Sequence, residues 1–283
     1  MKVLLLLNIN SGRGMWNKKK IYIETRLQKI FGNVTRKESS SKEDFLKIAK
    51  DACGTFDVLI FAGGDGTFNM IVNAIAREPI RPVLGILPTG TLNDASKIFK
   101  VRGGIKKALD VIENKEIKKV DIGKANDDYF IFSAALGTFS DIPYMTKTKR
   151  KSGFGFFAYY FKALSRLLKK ETVKGTITFE DGIAEVFEAP FILIMNSAHI
   201  AGFKINPKSD SFDGKMDLFW TEPTIFNSLF RYFLFRKKLH TYKFERVIIR
   251  TNSENHWALD GEKGSSGEMK IEVLARHLEV FSL

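Results

Sequence analysis

The chain has 283 residues, 44% of them hydrophobic and 27% charged, which excludes a disordered or fibrous protein and gives room for two folded domains. Lysine and arginine total 45 against 32 acidic residues, and the net charge of +13 favours an anionic partner: nucleic acid, anionic lipid headgroups or a polyphosphate. Cys53 is the single cysteine, which excludes intramolecular disulfides and cysteine-based metal clusters.

The first part of the chain alternates buried strands with helices. Apolar runs KVLLLLNI, DVLIFA and PVLGIL predict strands, and helical spacing predicts helices near Lys18–Ile30, from Phe68 to about Ala76, and near Gly104–Ile112. This alternation is typical of a parallel, doubly wound sheet, so we predict an α/β domain over residues 1–122.

The N-terminal apolar run is too short for a signal peptide, whose core needs roughly 7–15 residues. No stretch approaches the about 18 apolar residues that span a membrane. We therefore expect a cytoplasmic protein whose first strand begins near Lys2.

The second part of the chain has the composition of antiparallel sheets. The stretches DYFIFSAA, KGTITFE, EAPFILIMNSA, KMDLFW and RVIIRTN are separated by Gly, Asp and Ser turns. One aromatic segment with helical spacing, FGFFAYYFKALSRLLKK, interrupts them. We predict a β-rich domain over residues 123–283 and leave open whether the C-terminal segment returns to the first domain.

Two glycine-rich loops follow neighbouring predicted strands. The first reads GGDGT after DVLIFA, and the second lies in GILPTGTLNDASKIF. Ligands of open α/β sheets bind beyond the carboxyl ends of strands, where glycines permit close approach and the next helix offers N–H groups to an anion. The pattern favours a phosphate site, although it matches neither the Walker A loop nor the dinucleotide fingerprint.

The aspartate inside the first loop indicates a cation. Asp65 would repel a phosphate unless Mg²⁺ lay between them, directly or through water. The alternative is that Asp65 only caps the helix. In the second loop Thr91 could bond a phosphate, while Asn93 and Asp94 either contact metal-bound water or cap their own helix.

These motifs resemble a known family. GGDGTFN at Gly63–Asn69 and PTGTLNDAS at Pro88–Ser96 are similar to the catalytic domain of diacylglycerol kinases, sphingosine kinases and soluble bacterial lipid kinases. The similarity continues in order through VDIG, SFDGKMDLF and LDGE. GGDGT alone is shared with NAD kinases and phosphofructokinases, whereas GTLND and DGKMD favour the lipid kinases.

The resemblance implies a nucleotide-binding lobe of the NAD-kinase type, a β-sandwich lobe for the lipid, and the cofactors ATP and Mg²⁺. Its nucleotide site would comprise Asn8, Ser11, Gly12, Ser39, Gly63, Gly64, Asp65, Gly66, Thr67, Asn69, Thr91, Asn93, Asp94 and Asp121. Within that set, Asp65, Asp94 and Asp121 would order the catalytic magnesium and its waters. NINSG at residues 8–12 lacks the family's proline, and Ser39 stands where a threonine is usual.

The resemblance also implies a base and a second metal loop. Asp260 or Glu262 would accept the substrate's hydroxyl proton, with Asp260 favoured, and the alternative for this segment is a plain hairpin turn. A structural Mg²⁺ would bind Asp210, Asp213 and the carbonyl of Lys215, and an ordinary Asp-Gly turn is the alternative there.

Basic and aromatic residues mix in TKTKRKSGFGFFAYYFKALSRLLKK and in FNSLFRYFLFRKKLH. Such segments suit an anionic leaflet, although aromatic side chains more often pack a core. No nucleic-acid-binding signature is present, and a homodimer is left open. We predict an ATP- and Mg²⁺-dependent lipid kinase, a transferase of phospholipid biosynthesis peripherally bound at the inner membrane face, with diacylglycerol as favoured acceptor. The alternatives are a NAD kinase-like enzyme and a non-catalytic membrane-binding protein.

Overall fold

The computed structural model describes residues 1–8, 13–90, 93–101, 103–137, 172–200, 203–204, 206–223 and 239–283. The chain divides into two compact units. Unit 1 comprises Met1–Ile122, His199–Ile205 and Ala275–Leu283, and unit 2 comprises Gly123–Ala198 and Asn206–Leu274. The aromatic helix predicted at 154–170 lies outside the described residues. No helix in the described ranges is both long and apolar enough to cross a membrane.

Unit 1 is an α/β unit with a parallel sheet. Its strands are β1 (Val3–Asn8), β2 (Val34–Ser39), β3 (Val58–Gly63), β4 (Val83–Pro88) and the first part of β5 (Ile117–Ala125). Its helices are α1 (Arg13–Phe31), α2 (Lys42–Asp51), α3 (Asp65–Ile75), α4 (Ala95–Ile98) and α5 (Gly104–Asn114). The sheet order β2-β1-β3-β4, with every pair parallel, confirms the predicted α/β class.

The end of the chain completes this sheet. The last part of β18 (Met269–Phe281) lies parallel to β4, with Val280 opposite Leu84. The hydroxyl of Ser282 donates to the Ile98 carbonyl at 3.1 Å. The C-terminal segment therefore returns to the sheet formed by the first residues of the chain.

Helix α3 begins at Asp65, three residues before the predicted start. Gly64 precedes it with extended backbone (φ −118°, ψ −159°) and forms the N-cap. The loop is therefore shorter than GGDGT suggests, and the carboxylate belongs to the first helical turn.

Unit 2 is built from antiparallel strands. Its strands, beyond the second part of β5 and the first part of β18, are β6 (Asp128–Phe130), β7 (Ser133–Gly137), β8 (Val173–Phe179), β9 (Ala184–Ala189), β10 (Phe191–Met195), β13 (Met216–Thr221), β14 (Leu239–Phe244), β15 (Arg246–Thr251), β16 (His256–Leu259) and β17 (Glu262–Ser266). The short pair β11 (His199–Ile200) and β12 (Phe203–Lys204) belongs to unit 1.

Two sheets of unit 2 share one apolar core. One has the order β14-β13-β10-β7-β16-β17, and in the other β15 lies between β18 and β8, which pairs with β9. Ile177 and Phe187 from the second sheet cluster with Ile194, Leu218 and Trp257 from the first. Side chains from two facing sheets therefore exclude water, and the predicted β-sandwich class is confirmed.

Candidate active site

The parallel strands of unit 1 end together at one edge of the sheet. Asn8 ends β1 opposite Ser39, which ends β2. Gly63 ends β3 opposite Pro88, which ends β4. The amide of Thr89 donates to the Gly63 carbonyl at 3.0 Å. The two glycine-rich loops therefore lie side by side, as the sequence predicted.

Glycines allow these loops to touch through their backbones. A Cβ on Gly90 would lie 2.8 Å from the Gly64 Cα and 2.6 Å from Asn93 Oδ1. A Cβ on Gly63 would lie 2.3 Å from the Cβ of Thr67. A Cβ on Gly66, in contrast, would meet no atom within 4 Å. Gly66 therefore borders open space, where a ligand can approach the backbone closely.

Asp65 joins the two loops. Its Oδ1 accepts a hydrogen bond of 2.7 Å from the amide of Ala95, the first residue of α4. Asn93 has φ 51°, and its Nδ2 donates to the Gly90 carbonyl at 2.8 Å. These bonds fix the second loop against the carboxylate that begins α3. Thr67 and Asn69 follow on α3 and are buried.

Asp94 does not cap its own helix. It occupies the N-cap position of α4 without a side-chain capping bond, and its Oδ1 accepts from Lys97 Nζ at 2.7 Å. The residue is only 6% exposed, so its charge is largely removed from water. The capping interpretation is therefore wrong for Asp94, whose carboxylate instead pairs with the Lys97 ammonium group.

Asp121 is completely buried in β5. Its Oδ1 accepts from the amide of Arg276 at 2.7 Å, and Arg276 has φ 52° in β18. The C-terminal strand of unit 1 therefore helps to hold the third predicted carboxylate.

Three residues predicted for the nucleotide site, Ser11, Gly12 and Thr91, lie outside the described residues. Ser39 is 1% exposed, and its hydroxyl donates to the Leu7 carbonyl at 3.3 Å. A nucleotide contact by Ser39 would require this hydroxyl to turn, and that role stays a prediction.

In unit 2, Asp260 is tied to the backbone of a distant turn. Its two carboxylate oxygens accept from the amides of Ile131 and Phe132, each at 2.7 Å, and of Ser133 at 3.0 Å. Asp260 has φ 50° and lies in the hairpin between β16 and β17, so the hairpin interpretation is confirmed. Glu262 begins β17 and lies opposite Leu259.

Asn196, which no sequence motif singled out, binds the same stretch of backbone. Asn196 is fully buried, and its Nδ2 donates to the Ile131 carbonyl at 2.9 Å. The hydroxyl of Ser211 donates to the Asn196 carbonyl at 2.7 Å. An amide directly after the apolar strand β10 was the sequence signal, since a buried polar side chain needs defined partners.

The predicted metal loop contains an Asp-Gly turn. Gly214 has φ 73°, and the amide of Lys215 donates to Asp213 Oδ1 at 3.0 Å. Asp217 is buried directly after the loop and accepts from the Ser209 hydroxyl. Oxygen donors at positions 210, 213 and 215 suit a hard cation such as Mg²⁺. Within the described ranges, however, no group of three or more His, Cys, Asp or Glu side chains could hold a metal ion.

Comparison with known proteins gives a consistent result. The family model of the diacylglycerol kinase catalytic domain matches residues 2–125. A diacylglycerol kinase from Staphylococcus saprophyticus is 36% identical over 238 residues, covering 80% of this chain and 77% of that protein. A diacylglycerol kinase from Staphylococcus aureus strain Newman is 35% identical over 236 residues, covering 80% and 75%.

Comparison with solved structures points to the same family. A crystal structure of a candidate diacylglycerol kinase from Bacillus anthracis str. Sterne superposes with a TM-score of 0.86 at 27% identity. The superposition covers 100% of this chain and 97% of the Bacillus anthracis chain. The similarity therefore extends over both units and is not confined to the glycine-rich loops.

Proposed function

Because the chain belongs to the diacylglycerol kinase family, and is thus a lipid kinase, we propose that it transfers the γ-phosphate of ATP to the hydroxyl of diacylglycerol. The products would be phosphatidic acid and ADP. The observation that carries the proposal is the pair of abutting glycine-rich loops joined by the Asp65 carboxylate.

The ATP phosphates would lie against the first turn of α3. Its N-cap is Gly64, which makes no side-chain capping bond, so an anion would meet the positive end of the helix without a competing side chain. Gly66 keeps the neighbouring space open. This arrangement supplies partial positive charge and close approach without a Walker A lysine.

A magnesium ion bound with the nucleotide would neutralise phosphate charge during transfer. Asp65, Asp94 and Asp121 are the residues we propose to position it, and their carboxylate chemistry fits that ion. Since no three such side chains among the described residues could hold a metal ion, we propose that they act through water molecules.

We propose Glu262 as the base, a change from the preference for Asp260 at the sequence level. Three backbone amides already bind the Asp260 carboxylate and fix it to the turn at 131–133. Proton transfer to Asp260 would weaken those bonds. Glu262, two residues away, would take the hydroxyl proton as the oxygen–phosphorus bond forms and ADP leaves.

The test is transfer of labelled γ-phosphate from ATP, with Mg²⁺, into mixed micelles carrying diacylglycerol, another lipid alcohol or no acceptor. Glu262→Gln should lower the rate of lipid phosphorylation by about 10²–10⁴-fold, the usual contribution of a general base. Asp65→Asn should also abolish most transfer. Glu254→Gln, at an exposed glutamate, is the matched control and should keep the wild-type rate.

The remaining outcomes separate the alternatives. Phosphate transfer to another lipid alcohol but not to diacylglycerol would change the substrate and keep the kinase. Labelling of NAD in place of lipid would favour the NAD kinase-like enzyme. Binding of vesicles with no transfer to any acceptor would favour a non-catalytic protein.

A further inference from the structure

A lysine of unit 2 binds an aspartate of the predicted metal loop. Lys243 Nζ lies 2.5 Å from Asp213 Oδ2, an oxygen that the loop would need for a metal ion. Lys243 lies on β14 directly opposite Asp217 on β13. Cross-strand partners point to the same face of a sheet, so the strand register directs this ammonium group toward the loop.

The surroundings of Lys243 are acidic. The hydrogen bond with Asp213 raises the pKa of Lys243, burial opposes this, and the charges of Asp213, Asp217 and Asp210 raise it further. Asp213 is also engaged on its other oxygen by the Lys215 amide. The loop therefore has a positive counter-ion from its own chain, and both Asp213 oxygens have partners.

We propose that Lys243 competes with a divalent cation for the Asp213 carboxylate and thereby sets the metal affinity of the loop at Asp210–Lys215. The ion would be hard and oxygen-preferring, such as Mg²⁺ or Ca²⁺. The Lys243 ammonium opposes its binding, because two positive charges at ligand distance from the same oxygen repel each other. Without the ion, the Lys243 ammonium reduces the repulsion among the carboxylates of Asp210, Asp213 and Asp217.

The competition makes the loop less dependent on metal than an acidic loop alone. A loop without Lys243 would leave Asp210, Asp213 and Asp217 without the ammonium, so it would be less stable in chelator and would gain more from a cation. The inference rests on the proposed metal ligands and not on the phosphoryl transfer reaction.

The experiment measures thermal unfolding of the full chain, without nucleotide or lipid, in EDTA and across a MgCl₂ series at constant ionic strength. Lys243→Met should unfold at a lower temperature than wild type in EDTA. Its half-saturating Mg²⁺ concentration should be lower by about two- to fivefold, since one partly exposed ion pair no longer has to be broken. A CaCl₂ series should show the same order.

Three further variants fix the interpretation. Lys174→Met removes a comparable surface ion pair, Lys174 with Glu188 at 3.0 Å, and should keep the wild-type response to Mg²⁺. Lys243→Arg retains the charge and should also respond as wild type. Asp213→Asn removes the shared ligand and should abolish the Mg²⁺ response.

Equal half-saturating Mg²⁺ for wild type and Lys243→Met would overturn the proposal, as would the absence of any Mg²⁺ response in both. If Lys243→Met does not fold, Lys243→Gln replaces it, with the same expected shift. The unfolding experiment contains no ATP and no lipid acceptor. Its failure would therefore leave the proposed kinase activity untouched.

Discussion

The Asp260 carboxylate fixes the backbone at residues 131–133. Its Oδ2 accepts from the Ile131 amide, and its Oδ1 accepts from the amides of Phe132 and Ser133. Asp260→Asn would turn an NH₂ group toward one of these amides and leave a buried donor without an acceptor. We expect the free energy of unfolding to fall by about 1–3 kcal/mol. Thermal unfolding of the variant beside wild type measures this change.

The kinase rate distinguishes this structural role from a catalytic one. Asp260→Asn should lose less activity than Glu262→Gln, and its unfolding temperature should fall further than that of Glu262→Gln. If instead Asp260→Asn kept the wild-type unfolding temperature and lost as much activity as Glu262→Gln, Asp260 would be the base.

The sequence identified the residue types of the candidate site better than their partners. Asp65 and Asp94 belong to loops that follow predicted strands, so their neighbourhood could be predicted, whereas Asp121 was identified only through the family resemblance. Lys243 could not be predicted, because its partner Asp213 is 30 residues away. Only the strand register that brings β14 against β13 makes them neighbours. The roles of these residues in ATP and magnesium binding stay predictions.

At the scale of elements, long-range hydrogen bonds decided where strands end. The run DYFIFSAA reads as one strand, yet β6 stops at Phe130 and β7 starts at Ser133, because the amides of the residues between them bind Asp260. EAPFILIMNSA divides at Pro190, which has no N–H group for a ladder. The polar edge strand β2 was missed, since an edge strand lacks a buried apolar pattern. Helix α2 was also missed, although its Ser41 cap and its buried Phe45 and Ala49 are helix signals.

Strand β18 fastens the end of helix α3 through a titratable side chain. His277 Nε2 lies 2.8 Å from the carbonyl of Ala76, the C-cap of α3. Burial lowers the pKa of His277 below its usual 6.5, the Ala76 bond opposes this, and the charge of Arg81 lowers the pKa further. The folded chain therefore favours neutral His277.

The sign of the pH effect follows from linkage. A pKa lower in the folded chain means that the unfolded chain binds more protons as pH falls through 6.5. The stabilisation is complete above that pH and is lost as pH falls toward the folded-state pKa. We expect His277→Gln, which keeps an N–H donor for the Ala76 carbonyl, to lose this contribution to the pH dependence of the unfolding temperature.

The comparison is the difference between wild type and His277→Gln at each pH, since carboxylates titrate in both chains. A parallel pH dependence in wild type and His277→Gln would contradict the role given to the α3 end.

The order of segments along the chain differs from their order in the sheet of unit 1. The first 122 residues form a sheet that is completed by Ala275–Leu283. The alternating composition predicted the parallel strands, while the return of the C-terminus depended on a single long strand, β18, whose two ends belong to different units. The assignment of nucleotide to residues 1–122 and lipid to residues 123–283 stays a prediction.

The net charge of +13 is also a property of the whole chain, and it leads to our last prediction. If the lipid substrate is reached at an anionic membrane surface, the chain should sediment with vesicles containing phosphatidylglycerol but not with phosphatidylcholine alone. Salt should release it, because surface charges are screened. Four of the predicted contacts, which lie outside the described residues, are Lys147, Lys149, Arg150 and Lys151.

Replacing these four residues by glutamine should weaken vesicle binding by roughly 10²–10³-fold at low salt, since each basic residue near an anionic leaflet contributes about 1 kcal/mol. The matched control removes the same charge from exposed lysines of unit 1, namely Lys42, Lys47, Lys106 and Lys107. Equal weakening by both variants would mean that net charge alone attracts the chain to the vesicle. Loss confined to the first variant would place the membrane contact at 147–151, whereas full binding by both would remove the electrostatic basis for membrane association.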